Sequence, residues 1–167
     1  MTDRLAFNPL VTTVLAHFAL PAWSIHGPIH WARVLENGMR LAPLTGADPV
    51  VVSLFSIFHD SCRKDDGGDW NHGPRAAKWL KTLDLGITSE QKTLLIEACD
   101  GHTQAFQSSD ATVGTCWDSD RLDIGRIGAL VNADYMSTKA AKDPAVLEWA
   151  QDRASYGRVP DFAAGYL

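Results

Sequence analysis

His59 and Asp60 stand side by side at the end of an apolar run, VVSLFSIFHD. Successive side chains on a helix point about 100° apart, so the two can reach one ion only if it lies beside the helix, between them. That geometry suits a cation. Imidazole with carboxylate favours zinc, manganese, iron or nickel over calcium, which prefers shells made wholly of oxygen. By itself the doublet has a second reading, in which the histidine is satisfied by a hydrogen bond in the core and the aspartate caps a loop. Other donors are at hand in the chain. His30 opens His30-Trp31-Ala32-Arg33-Val34, and Asp118, Asp120 and Asp123 fall in the run CWDSDRLD. His72 sits in NHGPRAA, and His102 follows Asp100-Gly101.

The elements that must position these residues are helices. Asn8-Pro9 reads as a cap and first residue of a helix from Pro9 to Leu20, and Gly27-Pro28 starts a second that Leu41-Ala42-Pro43 should end. Asp48-Pro49 opens the apolar run, which is apolar almost all round and therefore predicts a buried central helix ending near His59. Lys64 to Gly73 is a turn-rich acidic loop, and Pro74 is expected to start a short helix. Thr88-x-x-Gln91 matches a capping box for a helix ending near Asp100-Gly101. A further helix is expected from about Asp110 to Asp123, and Asp143-Pro144 begins the last, before an irregular tail. Strand patterns are nearly absent, which predicts an all-α fold in one domain over residues 1–167.

Composition narrows the function. The chain has 167 residues, 46% of them hydrophobic, with 15 Lys+Arg against 20 Asp+Glu and a formal charge of −5. A chain of this size can bury a sufficient core without a staple, so a metal site would serve function rather than folding. The acidic balance argues against a basic stripe for long nucleic acid. Cys62, Cys99 and Cys116 form no C-x-x-C pair, and no segment is long and apolar enough to span a membrane. A cytoplasmic protein with no membrane partner, monomeric or homodimeric, is expected.

The order His30, His59-Asp60, Asp120 resembles the H…HD…D pattern of the HD superfamily of metal-dependent phosphohydrolases, over about residues 24–128. H-x-x-R-V is His30 to Val34, the doublet is His59-Asp60, and Ser119-Asp120-Arg121-Leu122 matches the closing element. The resemblance implies an all-α HD-type domain with His30, His59, Asp60 and Asp120 as metal ligands, Asp118 being the rival for the last place. It also implies that His72 and His102 line the same cavity, binding substrate phosphate or a second metal. Lys64 occupies a position where the family often carries lysine. With Arg63 it would stabilise charge on a phosphoryl group, and Asp60, Asp118 or His102 would move protons. Arg33, His72 and Trp70 are the candidates for touching substrate. The expected cofactor is a divalent ion, whether Mn, Fe, Ni, Co, Zn or Mg. The expected substrate is a small phosphate ester such as a mononucleotide. Arg63-Lys64-Asp65 stands where alarmone hydrolases carry a Glu-Asp pair, which argues against that substrate. Two other readings stay open: an HD-fold di-iron oxygenase using His72 and His102, and a nonhydrolytic metal- or nucleotide-binding regulatory domain. His26 is expected at the cavity edge, His17 in packing or at the surface, and Arg121 in a pair with Asp118 or Asp123.

Overall fold

Proline and short polar caps set most of the helix starts. In the computed structural model, which describes residues 3–163 and their side chains from Leu10 onward, the helices are α1 (Asp3–His17), α2 (Pro28–Thr45), α3 (Pro49–Phe58), α4 (His72–Thr82), α5 (Ser89–Gly101), α6 (Ala111–Arg121) and α7 (Pro144–Ser155). Short 3-10 turns follow α6 and α7, and there is no strand among the described residues. The fold is all-α. Asp48 Oδ1 accepts from the backbone N–H of Val50 at 2.8 Å and Val51 at 3.3 Å, and Asp110 Oδ1 does the same for Thr112 and Val113 at 2.8 and 2.9 Å. The capping box closes, with Thr88 Oγ1 accepting from Gln91 N at 3.2 Å and Gln91 Oε1 from Thr88 N at 3.1 Å. The Gln91 amide also donates to Asp48 Oδ2 at 2.9 Å, which ties the start of α5 to the start of α3.

Three helices differ from expectation in their boundaries. The first helix spans Asp3–His17, so Pro9 lies within it rather than at its start, and it stops short of Leu20. A proline deletes one helical hydrogen bond and crowds the preceding turn, yet a helix can run through it when the chain beyond remains helical. The second helix likewise passes Pro43 and ends at Thr45, capped by Gly46, whose φ of 74° is the left-handed turn that closes the helix through an N–H bond to Ala42 O. The fourth begins at His72, two residues ahead of Pro74.

Helix α3 is buried on nearly every side. Val51, Val52, Leu54, Phe55, Ile57 and Phe58 join Trp31, Val34 and Leu35 of α2, Leu95 and Ala98 of α5, and Val113 and Cys116 of α6 in the main core. A smaller cluster of Leu41, Leu122, Met136, Val146 and Ala150 seats α7. Gly38 lets α2 close on α3, because a Cβ there would collide with Val52 Cγ1. Five helix ends meet at one place beside this core: the start of α2, the end of α3, the start of α4, the end of α5 and the end of α6.

Candidate metal centre

Each donor is set at a helix end. His30 lies in the first turn of α2, and His59 and Asp60 follow the last residue of α3. The backbone keeps its helical sense through His59, with φ −55° and ψ −44°, so the doublet fans outward from the helix axis. His72 is the first residue of α4, His102 caps α5, and Asp120 sits in the last turn of α6.

These residues converge. His30 Nε2 lies 3.0 Å from His59 Nε2, and Asp60 Oδ2 is 3.4 Å from the first and 3.5 Å from the second. Asp120 Oδ1 stands 3.3 and 3.6 Å from the same two nitrogens. Donors bound to a metal at about 2.0–2.2 Å are separated by about 2.8–3.6 Å in tetrahedral or octahedral arrangement. A second group shares the same aspartate: Asp60 Oδ1 is 2.9 Å from His72 Nε2 and 3.8 Å from His102 Nε2, and those two nitrogens are 2.8 Å apart. The buried groups His30, His59, Asp60 and Asp60, His72, His102 could each hold a metal ion.

The hydrogen-bond pattern prepares the imidazoles for that role. His59 Nδ1 donates to Phe55 O and Ser56 O, both at 3.1 Å, while His72 Nδ1 donates to Asp69 O at 2.5 Å and His102 Nδ1 to Cys99 O at 2.7 Å. His30 Nδ1 donates to Asp123 Oδ2 at 2.7 Å. Carbonyl and carboxylate oxygens only accept, so every Nδ1 carries a proton and every Nε2 is turned to the centre. Two neutral rings would then face each other lone pair to lone pair at 3.0 and at 2.8 Å. A proton on one Nε2 or a metal cation between the two removes that conflict, and the carboxylates of Asp60 and Asp120 beside the same nitrogens make the donor set fit a divalent metal.

In the metal-free protein a proton takes the place of the cation at His30. Burial and the Arg126 charge press the His30 pKa down, but hydrogen bonds to Asp120, Asp123 and Asp60 outweigh them and raise it to about 9. His59 goes the other way, burial pushing it to about 3 against the attraction of Asp60 and Asp120. Burial alone would raise Asp60, yet the surrounding histidines hold it well below the ordinary carboxylate range. Asp120 is depressed for the same reason. The buried Asp123 is gripped by Arg33, Nε to Oδ1 at 2.6 Å and Nη2 to Oδ2 at 3.1 Å, which sets its other contact, with His30.

The remaining residues singled out in the sequence divide. Arg63 reaches the centre, its Nε donating to Asp60 Oδ1 at 3.1 Å. Lys64 is exposed next to it. Arg33 is committed to Asp123 and to Arg158 O, and Trp70 is 69% exposed. Asp118 is not brought to the cluster: it accepts from Ser137 N at 2.6 Å and from Thr138 N and Oγ1 at 2.8 Å, and burial raises its pKa. Arg121 pairs with neither Asp118 nor Asp123. Its guanidinium donates instead to the carbonyls of Ala105, Phe106 and Tyr135, because the last turn of α6 points it at those loops. His26 is buried beside His30, its ring centroid 6.3 Å away and its Nδ1 on Asp66 Oδ1 at 2.9 Å. His17 is exposed and stacks on Trp79. Sequence reasoning missed Arg126, which lies 3.9 Å from Asp123, and Asp69, whose carbonyl holds His72 from three residues upstream. The three-residue offset was the one signal available for each.

No family model matches the chain, and neither a curated protein nor a solved structure matches it significantly.

Proposed function

We propose that this protein is an HD-type metal-dependent phosphohydrolase acting on a small phosphate ester. The observation that carries the reading is the convergence of His30, His59 and Asp60 at one centre with Asp120 against both imidazoles, in the order of the H…HD…D pattern. These four would hold the ion, with His72 and His102 holding a second through the other oxygen of Asp60. A divalent cation there would lower the pKa of water and polarise a phosphoryl oxygen. The chain's own part is preorganisation: Asp123 and the four backbone carbonyl acceptors aim the imidazoles, and Arg63 offsets the charge of Asp60. Asp120 has the most exposed side chain of the four, at 19%, so substrate would approach from α6. Of the groups expected to move a proton, Asp60 and His102 face the centre, whereas Asp118 is occupied elsewhere.

A second reading is favoured by the shared carboxylate, since Asp60 belongs to both donor groups and a pair of sites so placed would also suit a di-iron oxygenase. The test is a panel of phosphate esters run with protein loaded with Mn, Fe, Ni, Co, Zn or Mg, alongside Asp60→Ala. Hydrolysis that disappears in the variant supports the proposal. Two irons per chain with oxygen consumption and no hydrolysis would replace it by the oxygenase.

A further inference from the structure

A cavity of about 500 Å³ opens between the end of α1, the turn after Asp60 and one face of α4. Its walls carry Arg63 and Lys64 from the turn and Arg75 and Lys78 from α4, with no acidic residue among them. Those are four of the 15 Lys and Arg in a chain whose formal charge is −5, so the sorting runs against composition. Arg75 and Lys78 are three apart on α4 and therefore share a face.

The four cations differ in what balances them. Arg75 is locked, donating to Cys62 O at 2.9 Å and to Asp69. Arg63 spans the wall, with Nε on Asp60 and Nη1 on the carbonyls of Asp65 and Gly67 at 3.3 and 3.2 Å. Lys64 and Lys78 are exposed, and among the described residues no salt bridge pairs either ammonium with a carboxylate. Like charges gathered around one concavity repel, and the field they focus there favours an anion. The cavity also has an aromatic wall, His17 stacked on Trp79 with centroids 3.8 Å apart, which leaves apolar surface next to the charge.

We infer that this cavity binds a phosphate-bearing small molecule, with Lys64 and Lys78 supplying the uncompensated charge and Arg63 linking the bound anion to Asp60. The anion is either the remote phosphate of a molecule processed at the metal centre or a separate effector. Binding itself follows from the cavity and its charges and does not rest on the hydrolytic reading.

The test is a titration of the ¹⁵N-labelled full chain with inorganic phosphate and with pyrophosphate, followed by amide and indole NMR shifts. Saturable shifts are expected at Cys62 to Lys64, at Arg75 to Trp79 and at the Trp79 indole. Lys78→Glu should weaken binding on the order of tenfold, and the milder Lys78→Gln by less. Shifts that do not saturate, or affinity unchanged in both variants, would overturn the inference. In metal-loaded protein, Lys78→Glu raises KM at constant kcat if the anion belongs to the substrate. If the anion is an effector, added phosphate changes the wild-type rate and not the variant's. Should no hydrolysis be found at all, the hydrolytic reading falls while the titration still decides this one.

Discussion

Asp60 offers one oxygen to each group of histidines, Oδ2 toward His30 and His59 and Oδ1 toward His72. Its removal should therefore abolish binding at both positions, whereas His102→Ala should lower metal content only at the second. Metal analysis by mass spectrometry after equilibration separates the two outcomes. Asp123 acts one bond further out, on His30 Nδ1. Losing such an orienting partner typically costs 10–100-fold in metal affinity, so Asp123→Asn should show about that loss in a chelator competition while the fold is retained. Arg33 holds the other oxygen of Asp123 in a buried pair. Arg33→Ala leaves that carboxylate to His30 and Arg126 alone and should destabilise the protein by roughly 3 kcal/mol, the low end for breaking a buried pair, in urea unfolding.

Helix ends carry the donors, so the approach of one helix to another decides whether they meet. Gly73, in the first turn of α4, is buried against the end of α5, and a Cβ there would strike the carbonyl oxygen of Cys99 and stand 3.1 Å from His102 Nδ1. Backbone cannot swing aside as a side chain can. Gly73→Ala should separate His72 from His102 and cost roughly 1–3 kcal/mol, the usual penalty for overpacking. It should reduce metal at the second position and spare the first, which α2, α3 and α6 build. Caps and prolines made α3, α5, α6 and α7 legible in the sequence, since those signals act within a few residues. They could not say whether Pro9 starts a helix or Pro43 ends one, because that depends on what the rest of the helix packs against.

The whole molecule couples this site to pH. In metal-free protein, His30 has a folded pKa of about 9 against an ordinary 6.5, a raised value, so its stabilisation is complete below pH 6.5 and lost as pH rises through 9. Urea midpoints of chelator-treated protein should fall across that window, and His30→Ala should flatten the decline. Metal competes with the same proton, so uptake in that range should release protons and tighten as pH rises. Added metal at a hundredfold excess over its dissociation constant should stabilise the fold by about 2.7 kcal/mol, seen as a higher melting temperature that a chelator reverses.

By itself the sequence determined the helical class, most helix starts and the presence of the His59-Asp60 doublet with outlying His and Asp donors. Each is written locally, in caps, prolines and apolar periodicity. Only the tertiary structure decided that Asp120 faces the imidazoles while Asp118, two residues earlier on the same helix, is spent on Ser137 and Thr138. It alone put both oxygens of Asp60 to separate use and gathered four cations around one cavity. The physical reason is direction: side chains two apart on a helix point about 200° from each other, and which direction is inward is set by neighbours far away in the chain.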